Sequence, residues 1–343
     1  METISIAKVG ANRPSEQIPV IVRLWTVVLL ALATFFPLGV EAQSPPERVT
    51  IGYPATAMSQ FPIFVAQEMG MFRDEGLEAQ LVRITGNVAV AALLGGDLGY
   101  TGNAPTTIGA ALKGLPVKIV AVFGIKPSVS LVVRPEIRTV QDLKGKAIAV
   151  STRGSLTDFF ARQIVSHYGL NPDRDITTLG FGDQPQRVAA MDAKTAAGAI
   201  VSPPNDLKAE AAGFKILVFA GDFMEETVEG ALGTNERRIR ERPDQVKKVV
   251  RAIVRAQQYI RQQPEPIKTF AMRFWKLNRQ QAEKMYSFIL KTTSPDGGAS
   301  EGAIQVALQQ VRTSLRIDRE LNITQSFDMS ILREVQRELG LAK

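Results

Sequence analysis

Residues 144–176 read KGKAIAVSTRGSLTDFFARQIVSHYGLNPDRDI. Within them 147–150 is a short apolar run of strand type, and Ser151-Thr152-Arg153-Gly154 is a turn. A helix begins near Ser155, runs to Tyr168 and stops at Gly169, and a second strand follows at 176–179. Strand, glycine-containing loop, helix, glycine stop and strand make one βαβ unit, the building block of a mainly parallel sheet covered by helices.

Upstream, the same alternation is already running. RVTIGY (48–53) alternates as a strand, and FPIFVAQEMG (61–70) is helical with Pro62 in its first turn. Strands at 77–84, 98–101 and 117–123 then alternate with helices at 87–94 and 106–113. This βαβαβαβ order implies a mainly parallel first sheet. The pattern restarts with a strand at 130–133 and a helical turn from Thr139. After the 144–176 unit come helices at 184–192 and 205–212, with strands at 197–201 and 215–219. The fold class is α/β, in two units of comparable size with no residue-level repeat between them. Beyond residue 234 the chain turns helical. Arg242-Pro243-Asp244 opens a helix whose Val246, Val249, Val250, Ile253, Val254 and Ile260 share one face. Further helices are expected at 264–276, 278–291, 301–315 and 328–339, with a turn at PDGG, 295–298.

The chain start reads as a secretory signal. Lys8, Arg13 and Arg23 precede an apolar run at 24–40, and Val40-Glu41-Ala42 supplies a small-residue exit before Gln43. The run is nearly long enough to be a membrane anchor, but Pro37 and Gly39 break a helix just before the exit and favour cleavage. Residues 1–42 are therefore expected to be removed and the protein to be periplasmic. The sequence has no cysteine and a single histidine, His167. That excludes a lipoprotein cysteine, a disulfide framework, a Cys–His pair and a histidine-rich zinc site. His167 sits near a helix end, where the dipole favours it and packing is its expected role. No G-x-S-x-G, G-x-x-x-x-G-K-[ST] or post-strand G-x-G-x-x-G motif is present. Neither metal, cofactor nor catalytic group is called for. The net charge of +7 is concentrated at 234–343, where 21 Lys and Arg face 12 Asp and Glu. Without interleaved aromatics this reads as solvated helix faces and not as a nucleic-acid surface.

Four polar turns remain, each where a strand gives way to a helix: Met58 to Phe61, Gly99 to Thr107, Val150 to Thr157 and Val201 to Asp206. In open α/β sheets, ligands bind beyond the carboxyl ends of the strands, and free N–H groups at a helix start hold anions or polar heads. Arg153 would add a fixed positive charge to the third turn. Four such turns in two units point to one shared cleft, although Ser, Thr, Asn and Gly also cap helices throughout α/β proteins.

Four stretches, 61–82, GGDLGYTGNAPT (95–106), 144–176 and ERPDQVKKVVRAIVRAQQYIRQQP (241–264), are similar to the nitrate/sulfonate/taurine-type (SsuA/THI5-like) substrate-binding proteins of ABC transporters. The resemblance implies the two-lobe periplasmic-binding fold of type II. Its first lobe would be 47–128 plus 224–343, carrying the C-terminal helices, and its second 129–223, joined by two crossovers. It implies a ligand held between Ser59, Gln60, Thr101, Gly102 and Asn103 on one side and Ser151, Thr152, Gly154, Ser155, Pro204 and Asn205 on the other, with Ser128 at the first crossover. Arg153 matches no position of the family pattern. Nor is there a sulfonate-specific set of charged and aromatic side chains, and the family also covers thiamine-precursor and aromatic-compound binders. The implied protein is a monomer, not an enzyme. It would deliver a small anionic or polar heterocyclic molecule to a membrane permease and its ATPase. The alternatives are a sensory module for a separate receptor and, further off, a pyrimidine-precursor synthase, which depends on cysteines and histidine that this chain lacks.

Overall fold

The structure, a computed structural model, describes residues 45–84, 86–317 and 322–342. The expected signal segment lies outside the described residues. Ten strands run in chain order: β1 Glu47–Tyr53, β2 Leu77–Arg83, β3 Tyr100–Asn103, β4 Val117–Gly124, β5 Ser130–Val133, β6 Lys146–Val150, β7 Ile176–Gly180, β8 Gly198–Val201, β9 Lys215–Phe219 and β10 Gly230–Asn235. They form two five-stranded sheets, ordered β2-β1-β3-β10-β4 and β7-β6-β8-β5-β9. In the first sheet β1 is parallel to β2 and β3, while β10 is antiparallel to β3 and β4. In the second, β6 is parallel to β7 and β8, while β5 is antiparallel to β8 and β9. The two sheets therefore share one plan. Each has three parallel strands, then an antiparallel strand, then a strand at the far edge.

The antiparallel strand is in each case the one that arrives from the other half. β5 follows the first crossing, 125–129, and β10 follows the return, 220–229. The first sheet is mainly parallel, as expected, with β1, β2, β3 and β4 running one way and β10 against them. β10 was absent from the sequence reading, and it takes the place beside β3 that βαβ order would give to β4. The reason lies in its composition, GALGTN. A Cβ on Gly230 would stand 2.3 Å from the Ser59 carbonyl oxygen and 2.7 Å from the Phe123 ring. A Cβ on Gly233 would stand 2.7 Å from the Thr107 hydroxyl. Close packing demands glycine at positions where a strand signal would need branched or aromatic residues.

The amphipathic helix Pro243–Gln262 covers the first sheet, with Val246, Val249, Val250, Ile253, Val254 and Ile260 fully buried. Each such side chain contributes about 1.5–3 kcal/mol of burial free energy. Polar side chains fix the register of this packing. Gln257 donates to the carbonyls of Val122 and Ser294 at 3.1 and 3.0 Å, and Tyr100 donates to Gln245 at 3.1 Å. The helix Pro264–Trp275 closes over Phe61–Glu68 through aromatic contacts, with Trp275 stacked on Phe61 at 4.6 Å between centroids. The helix Glu301–Leu315 packs Ile304, Ala307 and Leu308 against Ile108 and Leu112 of the helix Ala104–Leu112. The C-terminal helices thus belong to the first half, as expected. The second half has its own core, in which Phe160, Ile164 and Val165 of the helix Leu156–His167 pack on Ile148, Val150 and Ile200. None of the described helices is long and apolar enough to cross a membrane.

Gly230→Ala is expected to destabilise the fold by about 1–3 kcal/mol, since the added methyl meets backbone and an aromatic ring with no room to move. Gly302→Ala is the control, because only the Ser300 hydroxyl, at 4.0 Å, approaches its Cβ position and the helix gains propensity. It should be neutral or stabilising by up to about 1 kcal/mol. Urea denaturation of both variants measures the contrast.

Candidate functional site

Strand direction decides where the polar turns lie. β4 runs antiparallel to β10, and β10 antiparallel to β3, so β4 points the same way as β1 and β3. The first crossing therefore leaves from the carboxyl ends of the first sheet's parallel strands. It enters β5, whose first residue, Ser130, pairs with Val201 at the carboxyl end of β8. The return crossing follows the same course in reverse. The carboxyl ends of both sheets are thereby turned toward the crossings, and the four turns lie on those ends.

In the first half, Met58–Gln60 forms a short 3-10 turn after β1, and Gln60 is only 3% exposed. The Gln60 amide donates to the Ser59 hydroxyl at 3.3 Å, and its buried Oε1 has no partner. It lies against Gly102, where a Cβ would come within 2.4 Å of that oxygen. At the end of β3, the Asn103 side chain accepts from the Thr106 N–H at 3.2 Å and so caps the helix Ala104–Leu112. The Asn103 N–H donates to the buried Thr101 hydroxyl at 3.4 Å, and the Thr107 hydroxyl donates to the Asn103 carbonyl at 2.8 Å.

In the second half, the hydroxyls of Ser151, Ser155 and Thr157 form a triangle with 2.9 Å sides. Ser155 Oγ also accepts from the Asp158 N–H and caps the helix Leu156–His167. Gly154, at φ +80°, donates its N–H to the Asp158 carboxylate at 2.8 Å. Thr152, Arg153 and Gly154 are exposed. The last turn holds a cis peptide between Pro203 and Pro204, and the Asn205 N–H bonds the Ser202 carbonyl at 2.9 Å.

Ser59, Gln60, Gly102 and Asn103 thus come together, as do Ser151, Gly154 and Ser155. Among the described residues, no hydrogen bond joins the first group to the second. A cavity of about 1390 Å³ opens between the helices Gly86–Gly95, Ala104–Leu112 and Glu301–Leu315 on one side and Gly154, Ser155 and Phe159 on the other. Of the twelve residues expected from sequence, only Gly154 and Ser155 line it. His167 lies apart from the four turns, stacked on Phe223 at 4.1 Å between centroids.

The sequence reading missed one residue here. Glu229, on the return crossing, accepts from both the N–H and the hydroxyl of Ser128, at 3.2 and 2.9 Å. The surrounding protein pushes its carboxyl up to about 7, against the two Ser128 hydrogen bonds that favour the charged form. Nothing in DFMEETVEGALG, 222–233, distinguishes this glutamate from its acidic neighbours.

The family sequence model described as NMT1/THI5 like matches residues 58–267. A protein of Brucella abortus described as a binding protein is 28% identical over 267 residues, which is 76% of this chain and 81% of that one. The periplasmic aliphatic sulphonate binding protein SsuA of Escherichia coli superposes with a TM-score of 0.65 at 18% identity, covering 84% of this chain and 99% of that one. The periplasmic nitrate-binding protein NrtA of Synechocystis PCC 6803 gives 0.64 at 14%, covering 85% and 89%. The desulfurization enzyme DSZB gives 0.65 at 15%, covering 85% and 99%. The chain thus has the two-lobe fold of periplasmic binding proteins.

The cap bonds alter what a substitution at these turns reports. Asn103→Ala and Ser155→Ala should each lower folding stability by about 1 kcal/mol through loss of an N-cap. Thr152→Ala, at an exposed side chain, should stay within about 0.5 kcal/mol of wild type. Chemical denaturation of the three variants checks this before any binding comparison.

Proposed function

Because this chain belongs to the NMT1/THI5-like family, we propose that it is the periplasmic substrate-binding component of an ABC-type importer. It captures a small molecule between a lobe of 47–128 with 224–343 and a lobe of 129–223. The observation that carries this reading is the geometry of the two crossings, which turns the carboxyl ends of both sheets, where the polar turns lie, toward the crossings. The binding-protein description of the Brucella relative and the sulphonate and nitrate binders of the same fold support it.

The ligand touches Ser59, Gln60, Thr101, Gly102 and Asn103 on one lobe, and Ser151, Thr152, Gly154 and Ser155 with Pro204 and Asn205 on the other. Ser128 stands at the junction. Contacts made to both lobes only when they are closed give the differential affinity that draws the lobes together. The closed form then presents itself to a permease and its ATPase. Residues 1–42 serve as the export signal, and the protein acts as a monomer.

The fold alone does not separate a binder from an enzyme, since a desulfurization enzyme shares it. What favours a binder is the chemistry of the turns. They carry hydroxyls, amides and backbone N–H groups, and the only histidine is packed elsewhere against Phe223. Two serine hydroxyls do meet carboxylates near the turns, Ser128 on Glu229 and Ser130 on Asp206, but among the described residues no imidazole stands beside either pair.

The test is a thermal-shift and calorimetric screen of residues 43–343 against taurine, ethanesulfonate, nitrate and amino-heterocycles. One class should bind saturably and stabilise the protein, by about 2.7 kcal/mol at a hundredfold excess over Kd. The bound compound should be recovered chemically unchanged by mass spectrometry. Recovery of a transformed compound, or no binding across the panel, contradicts the reading.

A further inference from the structure

Two hydrogen-bond acceptors at the junction of the halves have no donor among the described residues. Ser128 directs both its N–H and its hydroxyl to one oxygen of Glu229, Oε2, and no described residue donates to Oε1. No cationic side chain among the described residues acts on this carboxylate. The second acceptor is Gln60 Oε1, buried without a partner on a side chain that is 3% exposed.

The backbone brings these two groups to one place. Gly230, next to Glu229, approaches Ser59 so closely that a Cβ there would lie 2.3 Å from the Ser59 carbonyl oxygen. Gly230 is also paired with Asn103 across β3 and β10. Gly102, the neighbour of Asn103, abuts Gln60 Oε1, with its Cβ position at 2.4 Å. Glu229 and Gln60 therefore flank one patch made of Ser59, Gly102, Asn103 and Gly230, beside the Ser128 expected to meet ligand.

A buried amide oxygen without a donor is costly, and a half-buried carboxylate without a counter-charge gains from N–H groups brought to it. Above pH 7, where Glu229 is ionised, oxyanions such as sulfonate or nitrate bring acceptors only and place like charge near it. An amine, amidine or amino-heterocycle brings donors that match both groups. On the binding-protein reading above, we propose that Glu229 and Gln60 form the specificity floor of the cleft, selecting ligands with an N–H donor or cationic head group over oxyanions. Glu229 is the residue that sets the choice, and Ser128 positions it by holding Oε2 and leaving Oε1 to the ligand.

The experiment is isothermal titration calorimetry with head-group pairs on a shared scaffold: benzamidine against benzenesulfonate, and acetamidine against methanesulfonate. The amidine of each pair should bind more tightly. Glu229→Gln should weaken benzamidine by roughly tenfold or more and narrow its preference over benzenesulfonate, as loss of a charge-assisted hydrogen bond implies. Gln60→Leu, which leaves the crossing untouched, should weaken benzamidine independently. The change in selectivity ratio separates recognition from a merely structural role. Tighter binding of the sulfonates overturns this inference while leaving the binding-protein reading intact. So does amidine affinity that is unchanged in both variants. Failure of both amidines to bind also overturns it, and the binding-protein reading falls with it only if the broader panel binds nothing.

Discussion

Each sheet is completed by a strand that the other half delivers. β5 and β10 enter between a parallel strand and the far-edge strand, so the hydrogen-bond ladders of both halves run through the crossings. Backbone N–H and C=O groups in a buried sheet must be paired, which makes this arrangement hard to shift by even one residue. The tightness is visible where the crossings meet. A Cβ on Gly124 would stand 2.8 Å from the Gly230 nitrogen, and the Thr227 and Glu229 N–H groups bond the carbonyls of Ile125 and Gly124. From this constraint follow the direction of β4, the facing carboxyl ends and the position of every polar turn.

The crossings fix strand direction, and a second contact joins the halves. Apart from them, the helix Arg279–Thr292 of the first half touches the second half. Gln281 donates to the Leu207 carbonyl at 3.1 Å, Lys284 pairs with Glu210 at 2.7 Å, Lys291 pairs with Asp222 at 2.5 Å, and Phe288 stacks on Phe219 at 4.0 Å. Both ion pairs are well exposed to solvent, where such pairs contribute about 0–1 kcal/mol. They add little to the contact between the halves. The Phe219–Phe288 stack, with both rings buried, is the apolar part of this contact.

Much of this architecture was legible in the sequence. The βαβ unit at 144–176 and the buried stripe of the helix Pro243–Gln262 follow from periodicity, and helix stops at Gly70, Gly114, Gly169 and Gly213 follow from glycines at positive φ. β10 was not legible, because Gly230 and Gly233 answer to tertiary crowding and carry no strand signal. The turns were found as places, but their internal wiring was not. Asn103 and Ser155 read as ligand contacts at helix starts, with capping as the alternative, and the fold does use both as helix caps. Glu229 stayed hidden because its environment is made by Ser128, one hundred and one positions away in the chain. The fold itself is shared by sulphonate and nitrate binders and by a desulfurization enzyme, so chemistry has to be argued from the turns and not from the topology.

The central claim is that the two halves close on a small molecule. A chain without cysteine allows it to be measured directly. Spin labels on cysteines introduced at the exposed positions Lys113 and Arg153, one in each half, report the distance across the gap by pulsed electron resonance. Saturating ligand should shorten the mean distance and narrow its distribution. An unchanged distribution with binding saturated would contradict closure.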